Sequence, residues 1–151
     1  MKRVWMLYAA LFTATLLLVT PLAYLLSHAL SAQHTGLGIG TLLEQYQQSK
    51  RNPLLTALLS GFPFMLLAAI IWVAQRRGAT VRTSRDLTLG GGTAILLVML
   101  WANLEYWPRF LPGLPYPGFP HGLELVIAPL HFAPFAMALG AFIGWLAGRS
   151  R

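Results

Sequence analysis

Residues 125–148 read LVIAPLHFAPFAMALGAFIGWLAG and carry no formal charge when His131 is neutral. At a rise of about 1.5 Å per residue, a helix of this length crosses the roughly 30 Å hydrocarbon core of a bilayer. The segment follows His121-Gly122-Leu123-Glu124 and ends before Arg149. The sequence therefore predicts a membrane-spanning helix at about 123–148.

The composition of the whole chain agrees with a multi-pass membrane protein. Of its 151 residues 56% are hydrophobic and only 10% are charged, and the mean hydropathy is +0.61. The eleven basic residues form short clusters at the ends of apolar runs, which is typical of a topology signal and not of a nucleic-acid interface. The absence of cysteine excludes disulfides, thiolate metal sites and thiol redox chemistry.

Three further uncharged segments precede this one. The apolar run after Lys2-Arg3 is longer than the core of a signal peptide, so we interpret it as a retained span. The chain is predicted to form a single all-α membrane domain, a bundle of four transmembrane helices in up-and-down order. The predicted spans are about 4–30, 54–75, 87–104 and 123–148.

Two outer loops, 31–53 and 105–122, and an inner loop, 76–86, join these spans. Thr41-Leu42-Leu43-Glu44 has the spacing of a capping box and predicts a short interfacial helix at about 42–49. The second outer loop holds five of the ten prolines with aromatic residues between them, which predicts an extended, semi-rigid segment at headgroup level.

Counting lysines and arginines on the two sides predicts the orientation. With the N-terminus inside, eight lie on the inner side and three on the outer side. The positive-inside rule then places both termini in the cytoplasm. The strength of the bias favours the bacterial inner (plasma) membrane.

The remaining polar residues segregate to the outer half. All four histidines and three of the four acidic residues fall there, and the prolines of three spans lie at similar depth, which predicts kinks around an outward-facing polar cavity. In the fourth span His121, Glu124, Ala128 and His131 have the spacing of one helical face. The candidate ligand or relay residues are His131, Glu124, His121, Glu105 and His28.

Several interpretations of these candidates stay open. We expect no cofactor. The alternative is a divalent metal held by His121 and Glu124, since imidazole and carboxylate suit such ions. A bis-histidine haem is disfavoured because His28 and His131 differ in depth. Alternatively, His131 donates to a carbonyl freed by proline, or bonds Asn103 or a threonine on a neighbouring helix, and His121 and Glu124 merely anchor the helix end.

Small residues recur on another face of the fourth span, at every fourth position. Such spacing lets two helix backbones approach closely in lipid. The partner is either the glycine run of the third span, or another copy or another protein. The helix-packing residues are Ala136, Gly140, Gly144, Gly148, Gly90, Gly91 and Gly92.

The chain shows no phosphate loop, H-E-x-x-H sequence or nucleophile elbow, which favours a non-enzymatic protein. We predict an accessory, assembly or protective (immunity-type) subunit that packs laterally on a larger membrane protein, or self-associates, and presents the proline-aromatic loop outside. The alternative is an outward-facing His/Glu cavity that binds or relays a metal ion, proton, quinone or lipid headgroup.

Overall fold

The computed structural model describes residues 2–30, 40, 44, 47, 53–107 and 122–149. Within these residues the chain is all-helical without strands, and four helices are long and apolar enough to cross a membrane. This confirms an all-α, multi-pass membrane protein. The elements are α1 (Lys2–Leu30), α2 (Pro53–Arg76), α3 (Val81–Tyr106), α4 (Glu124–Ile127), a π-helical turn (Ala128–Phe132) and α5 (Ala133–Arg149).

The fourth span consists of α4, the π-helical turn and α5, which follow one another without a break. The interfacial helix predicted at 42–49 lies outside the described residues, which include only Glu44 and Gln47 in that range. The proline-aromatic part of the second outer loop also lies outside them.

α3 begins at Val81, whereas the predicted span begins at 87. The reason is a local cap: the Thr80 hydroxyl oxygen accepts a hydrogen bond from the Thr83 N–H at 3.1 Å. Gly78, with a φ of 84°, completes the tight turn from α2. The charged residues at 82–86, assigned to a loop from sequence, therefore lie in the first turns of a helix that extends beyond its apolar segment.

α3 is the central helix of the bundle and contacts each of the other spans. Its three consecutive glycines face three different neighbours, because successive residues of a helix point about 100° apart. A Cβ atom added at any of them would come closer to its neighbour than real Cβ atoms do. The contacts are Gly90 with Gly140 of α5, Gly91 with Leu67 of α2, and Gly92 with Leu11 of α1.

The closest of these contacts joins the backbones of α3 and α5. A Cβ at Gly140 would overlap the carbonyl oxygen of Gly90 and lie 2.7 Å from the Cβ of Ala94. One turn further on, a Cβ at Gly144 would overlap the carbonyl oxygen of Asp86, and one at Gly148 would overlap the Asp86 carboxylate. These glycines of the fourth span thus lie against α3 of the same chain, while Ala136 is half-buried.

A hydrophobic core fills the middle and inner parts of the bundle. α1 and α2 meet there through aromatic rings: Phe12 and Tyr8 approach Phe64 edge-on, with centroids 5.2 and 5.9 Å apart. The Tyr8 hydroxyl also donates to the Phe64 carbonyl oxygen at 2.9 Å. The buried members of this core are Val4, Val19, Phe64, Leu67, Ile71, Ile95, Met99 and Met137.

Replacing Gly140 with alanine is expected to destabilise the bundle. The new methyl group would meet backbone atoms, which cannot rotate away, so α3 and α5 must separate, at a cost of about 2 kcal/mol in unfolding free energy. Unfolding in mixed detergent micelles, followed by circular dichroism, measures this cost. The matched control is Gly61→Ala, whose Cβ would make only an ordinary contact, 3.9 Å from Phe12 Cε2. Equal stability of the two variants would contradict the tight α3–α5 contact.

Candidate functional site

Glu124, His28 and Glu105 lie at one end of the bundle, which we call the outer end, following the predicted orientation. The C-terminal ends of α1 and α3 and the start of α4 converge there on a buried cluster, the outer core. The Trp107 ring is its centre, with the Tyr24 ring 5.3 Å and the Tyr106 ring 5.4 Å away, both edge-on. The members are Ala23, Tyr24, Ala102, Tyr106, Trp107, Leu125 and Ala128.

This packing differs from the predicted polar cavity. Pro21 and Pro63 lie inside continuous helices. Between the described helices, the space expected to be open holds large aromatic side chains, and Trp107 is completely buried. Kinks at similar depth were predicted to splay the bundle, but the aromatic rings fill the gap between α1 and α3.

Two of the candidate residues are buried beside the outer core. Glu124, the first residue of α4, is only 1% exposed, and its position at a helix N-terminus suits a negative charge. His28 is 5% exposed, and its ring lies 6.0 Å from the ring of Tyr24. The Tyr24 hydroxyl and the Ser27 Oγ are buried too, and no hydrogen-bond partner for either lies among the described residues. Four polar side chains, a carboxylate, an imidazole and two hydroxyls, are therefore buried at this end of the protein.

His131 does not share the face of Glu124 and Ala128, so the prediction of a single row is wrong. Glu124 and Ala128 are buried, whereas His131 is exposed on the outside of the bundle. The cause is the π-helical turn, in which the Ala133 N–H donates to the Ala128 carbonyl oxygen five residues back. Such a turn absorbs one extra residue and rotates the rest of the helix by about 100°.

Pro134 explains why the helix widens at this point. In a regular α-helix its ring would clash with the carbonyl of Leu130, and it has no N–H to donate to that oxygen. A wider turn just before the proline relieves the clash. Proline thus changes the direction in which His131 points, an effect that residue spacing alone does not reveal.

The other candidates lie apart from this buried pair. Glu105 is half-buried near the end of α3, and His121 lies outside the described residues. Among the residues that the structure describes, no three His, Asp or Glu side chains are grouped so as to hold a metal ion. The acid and imidazole groups at the outer end are therefore dispersed around the outer core.

Asn103 has a structural role that the sequence did not predict in this form. Its side chain is 2% exposed, donates to the Met99 carbonyl oxygen at 2.8 Å, and accepts a hydrogen bond from the Thr20 hydroxyl at 3.2 Å. The signal in the sequence is a lone asparagine in an apolar span, interpreted there only as a partner for His131. In the structure, Asn103 instead joins α3 to α1 through its hydrogen bond with Thr20.

The Thr20–Asn103 hydrogen bond is expected to contribute about 1 kcal/mol of coupling energy, as polar contacts between membrane helices commonly do. A double-mutant cycle of Thr20→Val and Asn103→Leu, measured by unfolding in micelles, gives this energy directly. The same cycle on Thr88→Val with Asn103→Leu is the control, because Thr88 bonds only the Ser84 carbonyl of its own helix. Coupling energies that do not differ between the two cycles would refute the interhelical bond.

No protein-family model, curated protein or solved structure matches this chain. The chain's own geometry is therefore the basis for a function: His131 is exposed within a span, whereas Glu124 and His28 are buried at the outer end.

Proposed function

We propose that this protein is a non-enzymatic accessory subunit that packs laterally against a larger membrane protein. The observation that supports the proposal is the exposure of His131 inside a membrane-spanning segment. An ionisable side chain is costly in contact with hydrocarbon and usually faces a bundle interior or another chain. Because His131 points away from its own bundle, a second protein is the natural source of its partner.

The exposed surface around His131 has the shape of a helix-packing face. Phe135 and Leu139 follow it at helical spacing and are 77% and 61% exposed. We call these three residues the docking face. The ring of Phe132 borders it and packs edge-on against Trp101 of α3, at 5.7 Å. The face lies over residues 131–139, the middle of the fourth span.

The docking face is distinct from the glycine ribbon of the same span. Gly140 and Gly144 lie against α3, so a lateral partner meets the larger side chains on the opposite side of the helix. His131 lies about 10 Å along the span from Glu124. The partner helix is therefore expected to present a carbonyl, hydroxyl or carboxylate oxygen at that depth, which accepts a hydrogen bond from the imidazole.

The proposal extends to the membrane context. Both termini lie in the cytoplasm of a bacterium, the inner membrane holds the protein, and the proline-aromatic loop at 105–122 makes a second contact with the partner outside. An assembly factor and an immunity-type protein that blocks a membrane toxin both belong to this class, because each acts by occupying a surface of another membrane protein.

His131→Leu is expected to release the partner while leaving the bundle folded. Leucine removes the hydrogen bond but keeps an apolar surface, so the native mass after gentle extraction should fall to that of the 16.6 kDa chain. The measurement is native mass spectrometry of extracts from the native membrane. Thr13→Leu is the matched control, since it replaces another exposed polar residue within a span, on α1.

Three outcomes would refute the accessory role: a wild-type mass equal to one chain, a wild-type mass equal to a multiple of the chain alone, or equal loss of the partner in both variants. A stoichiometric larger partner that is lost only in His131→Leu supports it. Circular dichroism of each variant shows whether the bundle remains folded.

A second candidate function uses the outer end itself. Glu124 and His28 are both buried at this end, as are the hydroxyls of Tyr24 and Ser27, and groups of these types can pass a proton or hold a small polar ligand. If this second function is correct, we expect Glu124→Gln to abolish cellular function, because it removes the carboxylate, while the native mass of any complex stays unchanged. Glu44→Gln is the control, because Glu44 is exposed. Full function of Glu124→Gln would eliminate the candidate.

A further inference from the structure

A groove opens between α2 and α5 at the inner end of the bundle. Its volume is about 570 Å³, and its walls are mostly apolar, with an arginine at the end nearest the α2–α3 turn. α2 and α5 contact each other far less than α3 and α5 do. The groove occupies the space between these two loosely packed helices. Residues that define it are Ile70, Ala74, Arg77, Ala138, Phe142 and Trp145.

The groove runs along the helices from the α2–α3 turn toward the middle of the bundle. The walls extend from Ile70 on α2 to Arg77 just after that helix, and from Ala138 to Trp145 on α5, which is seven residues or about 10 Å. Ala138 and Ala74 keep it open by being small. A groove that is about 10 Å long and mostly apolar suits the first carbons of an acyl chain better than a polar ligand.

Positive charge lies at the mouth of the groove. Arg77 is exposed and lines it, next to the first turn of α3, which contains no acidic residue. Asp86, the acidic residue nearest to this end, lines a different groove with Arg82 and Arg85. It also packs against Gly148, on the other side of the α3–α5 contact. The groove mouth therefore favours an anion.

We propose that this groove binds a phospholipid with an anionic headgroup. One acyl chain lies between α2 and α5 against Ile70 and Phe142, and the headgroup phosphate is held by the Arg77 guanidinium. Arginine suits this role because its planar fork donates two parallel hydrogen bonds to phosphate oxygens. Basic pockets between membrane helices on the cytoplasmic side are known to select anionic lipids. The bound lipid fills the gap between α2 and α5.

The test is a lipid titration of the purified full-length protein in detergent, followed by native mass spectrometry. The probes are phosphatidylglycerol and phosphatidylcholine with identical acyl chains. We expect the first to bind about five-fold more tightly than the second, as one arginine at a membrane surface provides. Arg77→Gln should remove this preference, and Ala138→Leu, which narrows the groove at an exposed position, should weaken binding of both lipids.

Arg82→Gln is the matched control, since it makes the same charge change at an exposed residue that lines the other groove. Retention of the preference in Arg82→Gln, with its loss in Arg77→Gln, supports the site. Equal affinity of the two lipids for the wild type, or an equal loss in both arginine variants, overturns it, because general attraction would then explain the binding. Unchanged binding in Ala138→Leu also overturns it. Thermal unfolding of each variant verifies that it is folded.

Discussion

The backbone contact between α3 and α5 is the constraint on which the rest of the bundle depends. Gly90 and Gly140 approach so closely that neither position has room for a Cβ atom. In lipid, burial of apolar surface gives little preference for one helix arrangement over another, so close van der Waals packing decides which helices associate. A contact that excludes even a methyl group therefore specifies the register of α5 on α3.

This contact also determines how the other helices are arranged. Once Gly90 is committed to α5, the next two glycines of α3 point toward α2 and α1, where Leu67 and Leu11 occupy the space that side chains would have filled. Small residues on the central helix thus pack against large residues of the neighbouring helices. Toward the outer end the pattern reverses, and bulky rings from α1 and α3 fill the space around Ala128 of the fourth span.

The sequence predicts the helices better than the candidate site, because the physics that forms a span is local. Length without charge identifies four spans, and glycine spacing indicates where backbones approach closely, although the early start of α3 depends on the Thr80 cap. The site depends instead on the rotation of one helix about its axis. Helical spacing placed His131 with Glu124, but a π-helical turn ahead of Pro134 separates them. Spacing identifies a helical face only while the helix keeps 3.6 residues per turn.

The π-helical turn consequently changes which side chains of the fourth span face the bundle. At its start Glu124 and Ala128 are buried, and Ala128 belongs to the outer core; within it His131 is exposed, and beyond it Gly140 and Gly144 still pack on α3. A regular helix could not present an imidazole to the membrane and keep both of these internal contacts. Since π-helical turns are often found at functional sites, the turn ahead of Pro134 supports the proposal that the bundle presents His131 to a neighbouring protein.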